Sequence, residues 1–273
     1  MILGADMQPV SYVGSTALIT GASSGIGAAF SRALAARGAN VVLVARREAP
    51  LQMLASSLRA THGVDAVVCP TDLSIPGAAA SVAGRIAALG LQIDVLVNNA
   101  GFATHGNVAE VDPSLLTAQT ALHVTTLVEL TRSFLPPMLE RGSGVICNIA
   151  STVAFQPVPM LATYAGTKAF VLSFSEALWK ETRPSGVRVL AVCPGVTDTP
   201  FFDTVGVNVP AAAFRRRHPD QVVATAMRAL DRRSPSVIDG RLNALAAQVS
   251  RIFPRRVVLA AAARVVRPRT PGQ

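Results

Sequence analysis

The sequence predicts one α/β domain built on a parallel sheet covered on both faces, with a short helical appendage at its C-terminus. Two observations carry that expectation. From Thr16 to about Ser236, short β-branched runs alternate with stretches of helical period long enough to serve as crossover helices. The chain has 273 residues and half of them are apolar, which is enough to bury one large core.

The strand candidates in chain order are TALIT (16–20), NVVLVA (40–45), DAVVC (65–69), IDVLV (93–97), GVICNI (144–149) and VRVLAV (187–192), with PSVI (235–238) a weaker seventh. Between them, patterns such as AAFSRALAARG and LSFSEALWKET predict helices. Beyond Arg241, LNALAAQVSRIF and RRVVLAAAARVVRPR read as two short amphipathic helices separated by Pro254, because proline cannot continue a helix. The expected division is therefore a main domain over residues 1–240, including a lid at about 197–217, and a basic tail over 241–273. Ligands bind such a sheet beyond the carboxyl ends of its strands, so the residues that follow each run are the candidates for function.

Composition excludes several classes. Charged residues make up 15% of the chain and the mean hydropathy is +0.41, too apolar for intrinsic disorder. The net charge of +9 comes from the end of the chain, since residues 214–273 hold 13 Arg against three Asp while residues 1–213 are nearly neutral. A nucleic-acid partner would need a basic face on the main body, so none is expected. No apolar run reaches about 18 residues, and the first ten residues lack both a basic region and a long apolar stretch. Neither a membrane span nor a signal peptide is expected. Cys69, Cys147 and Cys193 are odd in number and sit in or at the end of apolar runs, which suits buried reduced thiols in a cytoplasmic protein and no metal site.

The first strand runs straight into GASSGIG, placing Gly21, Gly25 and Gly27 between a strand and a helix. Glycines there let backbone approach a pyrophosphate, and the helix N-terminus offers free N–H groups. A plain turn is the alternative. The second strand ends in VARRE, where Ala45 stands in place of the acid that binds a ribose 2′-hydroxyl and Arg46 and Arg47 follow. This favours a 2′-phosphate, hence NADP(H), with NAD(H) still open; the alternative is a solvated arginine pair. Tyr164 and Lys168 fall four apart on a predicted helix in a chain with only two Tyr and two Lys. An ammonium beside a phenol stabilises the phenolate and lowers its pKa, making a general acid–base. Ser151 ends the GVICNIAS run, where its hydroxyl could meet a substrate oxygen or cap a turn.

Taken in order, TGASSGIG (20–27), TDL (71–73), NNAG (98–101), Ser151, YAGTK (164–168) and PGVTDT (194–199) resemble the motifs of the short-chain dehydrogenase/reductase family over about Val13 to Ile238. The resemblance implies a Rossmann-like, doubly wound, seven-stranded parallel sheet in three α/β/α layers. It also implies hydride transfer between a nicotinamide and a carbonyl or alcohol carbon. Tyr164 would donate the proton, Lys168 would lower its pKa and hold the nicotinamide ribose, and Ser151 would orient the substrate oxygen. The coenzyme cleft would be formed by Gly21, Ser23, Ser24, Gly25, Ile26, Gly27, Arg46, Arg47, Asp72, Leu73, Asn98, Ala100 and Gly101, with Pro194, Gly195, Val196 and Thr199 seating the carboxamide. Asp72 could instead cap a helix. His123 departs from the family, standing where an asparagine holds a relay water behind the lysine. A histidine there would titrate near neutrality within the relay or simply fill space. An intact coenzyme site with weakened chemistry, in a regulatory or scaffold protein, is the rival expectation.

The segment TPFFDTVGVNVPAAAF after the PG motif is apolar, and with Phe102 and Phe155 it suggests a hydrophobic alcohol or ketone substrate. The tail, with Arg251, Arg255, Arg256, Arg264, Arg267 and Arg269, reads as a subunit-docking or solvated end more than as peripheral membrane contact. A homo-dimer or tetramer is what the resemblance implies.

Overall fold

The computed structural model describes residues 9–201 and 216–265. Its strands are β1 (Thr16–Thr20), β2 (Asn40–Ala45), β3 (Ala66–Pro70), β4 (Val95–Asn98), β5 (Val145–Ile149), β6 (Arg188–Cys193) and β7 (Ser236–Ile238). They form one seven-stranded sheet, ordered β3-β2-β1-β4-β5-β6-β7, with every pair parallel. The weak seventh candidate is thus a real edge strand, paired through Ala191 opposite Ser236. Helices α1 (Gly25–Ala35), α2 (Glu48–His62), α3 (Ala78–Ala88), α4 (Pro113–Thr120), α5 (Thr126–Glu140), α6 (Ala162–Thr182) and α7 (Pro219–Asp231) lie between strands, and α8 (Arg241–Ile252) and α9 (Arg255–Val265) follow β7.

The strands read as continuous apolar runs because both faces are covered. Successive residues point to opposite sides, so Ala17 and Ile19 join a core with Phe30, Leu34, Leu51 and Val222, while Leu18 joins one with Val82, Leu130, Phe134 and Met138. The chain order reverses direction between β1 and β4, which opens a crevice at the carboxyl ends of those strands.

Two further features position that crevice. Thr20, the last residue of β1, accepts with its hydroxyl from the Asn99 and Ala100 amides at 2.8 and 2.9 Å, tying the β1 and β4 exits together. Past β7, the fully buried Asp239 accepts from Arg217 Nε and Nη2 at 2.8 Å each and from Thr225 at 2.7 Å, so its charge is paired and hydrogen-bonded. Its backbone oxygen in turn accepts from Asn243 Nδ2 at 2.7 Å, which anchors the start of α8. The three cysteines are free and buried.

Candidate active site

A cleft of about 890 Å³ runs across the carboxyl ends of the strands. At one end lies the glycine loop. Gly21 and Gly25 have φ of +66° and +54°, which favour glycine, and a Cβ at Gly21 would stand 2.7 Å from Asn99 Nδ2. Gly27 does not line the cleft; it packs beneath the loop, where a Cβ would collide with the Gly21 carbonyl oxygen. Ser24 caps α1 through extended backbone with no side-chain bond to the first turn, so those amides remain for an anion. Ser23, Ser24 and Ile26 line the cleft beside them.

Arg46 and Arg47 stand exposed on the rim, and Arg47 Nη2 donates to Ser23 Oγ at 3.4 Å. Asp72, with Leu73 beside it, lines the same end and accepts from the Ser74 amide and hydroxyl at 2.9 and 2.6 Å. It closes a local turn and does not cap a helix. Partial burial raises its pKa, but the Ser74 hydrogen bonds and the Arg46 charge outweigh that and hold it below the usual value. Asn98 differs from expectation. Its side chain is buried behind the cleft, donating to Asn148 Oδ1 at 2.9 Å and Thr131 Oγ1 at 3.3 Å, and Asn99 lines the cleft in its stead. The reason is parity: β4 continues through Asn98, so its side chain points into the layer between sheet and helices. Ala100, Gly101, Pro194, Gly195, Val196 and Thr199 all line the cleft. Two glycines held at positive φ, uncapped helix amides and a cationic rim together fit a dinucleotide phosphate.

At the far end the cleft is apolar and holds the reactive side chains. Ser151 Oγ caps a short 3₁₀ turn by accepting from the Val153 amide at 3.3 Å, which leaves its proton free to donate. The cap expected for Ser151 is therefore present, and its hydroxyl is close enough to Tyr164 to lower the pKa of that phenol. Lys168, one turn beyond Tyr164 on α6, donates to the Ile149 carbonyl at 2.7 Å and lies 5.8 Å from the centre of the tyrosine ring. Burial pushes Lys168 down to about 8, opposed by Cys193. Burial also pushes the Tyr164 hydroxyl up to about 12, opposed only by the Ser151 bond. The lowering of the tyrosine expected from Lys168 therefore does not prevail here; desolvation of a phenolate is the larger effect.

His123 also departs from expectation. It sits in a single π-helical turn, Ala121–Thr125, between α4 and α5, and is 2% exposed. Burial first, and the charge of Lys168 second, push its pKa well below the ordinary value, away from the titration near neutrality that the relay reading expects.

The remaining wall was not legible as such in the sequence. Asn243, Ala246 and Ala247 from α8, Phe253, and Val257, Val258, Ala261 and Ala262 from α9 line the cleft with Phe102, Tyr164 and Phe201. Their helical spacing marks an apolar face, but nothing in the sequence says what that face meets. Phe155 packs in a small cluster with Leu127, Val171 and Leu172. Residues 202–215 of the expected lid, including Phe202 and Phe214, lie outside the described residues, as do Arg267, Arg269 and the side chains of Arg251 and Arg264; Arg255 and Arg256 are exposed. No helix among the described residues is long and apolar enough to cross a membrane, and no group of three metal-ligating side chains occurs among them.

The chain matches the short chain dehydrogenase family over residues 15–208, and it belongs to that family, a class of oxidoreductases acting on CH–OH and C=O groups. It is similar to a short chain dehydrogenase of Pseudocercospora fijiensis, 37% identical over 189 residues, which are 68% of this chain and 60% of that one. It is similar also to a very-long-chain 3-oxoacyl-CoA reductase of Danio rerio, 33% identical over 71% of this chain and 63% of that one. The match thus spans less than two thirds of either relative's length. Among solved structures, a short-chain dehydrogenase from Sphingobium yanoikuyae in complex with NADPH superposes with a TM-score of 0.77, at 35% identity over 87% of this chain and 94% of that one.

Proposed function

We propose that the protein is an NADPH-preferring reductase of apolar ketones, with Tyr164 as the proton donor. The observation that carries this reading is a buried phenol beside Ser151 and Lys168 at the apolar end of a cleft whose other end is a glycine loop rimmed by arginines. The Sphingobium structure holds NADPH, which supports the same coenzyme here.

A bound nicotinamide dinucleotide supplies the hydride to the carbonyl carbon, or accepts it in the reverse direction. The side chains do the rest. Ser151 donates to the substrate oxygen and holds it beside Tyr164. Tyr164, with its hydroxyl near 12, enters protonated at neutral pH, which suits an acid in reduction better than a base in oxidation. As its proton leaves, Lys168 stabilises the phenolate by its charge, so the lowering that burial opposes beforehand operates during the reaction. Gly21, Gly25 and the start of α1 would hold the pyrophosphate, and Arg46 and Arg47 the 2′-phosphate. The apolar wall from Phe253 to Ala262, together with the Danio relative's acyl substrate, supports a ketone bearing a long hydrophobic chain. Assembly as a homo-dimer or tetramer belongs to the same proposal and is checked by light scattering.

The test follows NADPH absorbance with long-chain methyl ketones and acyl-thioester ketones, beside Tyr164→Phe and with NADH in parallel. Oxidation that favours NADPH and disappears in the variant is expected. NADPH binding without any Tyr164-dependent oxidation would favour the rival reading, a coenzyme-binding regulatory protein.

A further inference from the structure

His123 does not line the cleft yet touches two residues that do, Phe102 and Tyr164. Its Nε2 accepts from the Phe102 amide at 3.2 Å, and an amide only donates, so this nitrogen carries a lone pair. Its Nδ1 stands 2.9 Å from Thr167 Oγ1. The Thr167 hydroxyl gives its own proton to the Tyr164 carbonyl at 2.9 Å, which leaves its oxygen to accept from Nδ1–H. One neutral tautomer satisfies all three bonds. A second proton on Nε2 would point at the Phe102 N–H and break the first of them.

Packing repeats the message. The His123 ring meets the Tyr164 ring edge-on at 5.8 Å and the Phe102 ring at 6.3 Å. A Cβ at Gly101 would stand 2.7 Å from Nε2, so the glycine of NNAG makes room for this imidazole. The titratable groups that face the ring among the described residues are Lys168 and Tyr164, both on α6.

We infer that His123 is a positioning residue: as the neutral Nδ1–H tautomer it ties the loop after β4 to the first turns of α6, setting the place of Tyr164 without carrying protons. The inference rests on the proposed role of Tyr164. Both ring nitrogens are spent on fixed partners, so a proton passing through the ring would have to break the tie that holds the acid in place.

Nitrogen-15 spectra of the full chain test this directly, with His123→Asn assigning one of the four histidines. The expected pattern is Nδ1–H, unchanged between about pH 5.5 and 8. Thr167→Val removes the acceptor and spares the imidazole. It should speed hydrogen exchange at the Phe102 amide, shift the ring signal of Tyr164, one of only two tyrosines, and lower kcat for a long-chain methyl ketone about tenfold. NADPH affinity and the shape of the pH–rate profile should stay as in the parent, and Thr167→Ser should restore kcat. An Nε2–H pattern, titration of His123 within that range, or a Tyr164 signal unmoved by Thr167→Val overturns the inference. If the parent reduces no ketone, the reductase reading fails by itself, while the tautomer and the Tyr164 signal still decide the role of His123.

Discussion

The two ends of the cleft are built differently. The glycine-loop end is centred on one stretch of chain: β1, four residues of loop and the first turn of α1, with backbone amides and glycines as the working parts and Arg46, Arg47 and Asp72 at its rim. The apolar end is assembled from segments far apart in the chain, with Ser151 after β5, Tyr164 and Lys168 on α6 and the apolar wall on α8 and α9. One end works by leaving room, because Gly21 and Gly27 clear close approaches of backbone and Gly25 makes room for the Thr199 side chain. The other works by burial, because the pKa values of Tyr164 and Lys168 are both set first by desolvation. Damage to the first should therefore appear as lost coenzyme affinity, and damage to the second as lost turnover.

The sharpest separation comes from Tyr164→Phe, expected to cut turnover by about 10²–10⁴-fold while leaving NADPH binding near the parent value by fluorescence titration. A parallel loss of NADPH affinity would erase the distinction between the two ends. The reciprocal change is Gly27→Ala, whose Cβ would collide with the Gly21 carbonyl oxygen. It should destabilise the fold by about 1–3 kcal/mol in denaturant and weaken NADPH binding, since the loop must shift to admit the methyl. Arg46→Ala combined with Arg47→Ala should reduce the preference for NADPH over NADH by about 1.5–3 kcal/mol, read as the ratio of kcat/KM values, with stability unchanged.

Lys168 offers a test by pH. Its folded value of about 8 lies below the ordinary 10.5, so between the two the unfolded chain binds more protons at this site than the folded chain does. Stability contributed here therefore rises with pH across that window. The parent should gain on Lys168→Met by on the order of 1–3 kcal/mol from pH 8 to 10.5, measured as denaturant midpoints. Tyr12 and Cys147, whose raised values also matter in alkali, are common to both proteins and cancel. A flat difference would mean the lysine is hydrated in the folded state. The smallest effect belongs to the wall: Val258→Ser should raise KM for a long-chain ketone about threefold to tenfold and leave NADPH affinity alone.

The unequal construction also explains what could be read from the chain before folding. Strand runs were legible to within one or two residues, because a strand covered on both faces must be apolar throughout. Tyr164, Lys168 and the glycines were legible because their chemistry depends on spacing along one helix or one loop. Asn98 and Asn99 could not be told apart, since the choice turns on where β4 ends and which face each side chain then takes. His123 was visible as a residue but not as a tautomer, for its partners Phe102 and Thr167 lie 21 and 44 residues away.

The sequence by itself determined the strands of the sheet, the glycine loop after β1 and the pairing of Tyr164 with Lys168 on one helix. Periodicity, glycine placement and short spacings encode all of these locally. Only the tertiary structure decided that α8 and α9 line the apolar end, that burial outweighs Lys168 at the Tyr164 hydroxyl, and that both nitrogens of His123 have fixed partners. Each of these depends on which surfaces exclude water from one another, and that is a property of the packed molecule.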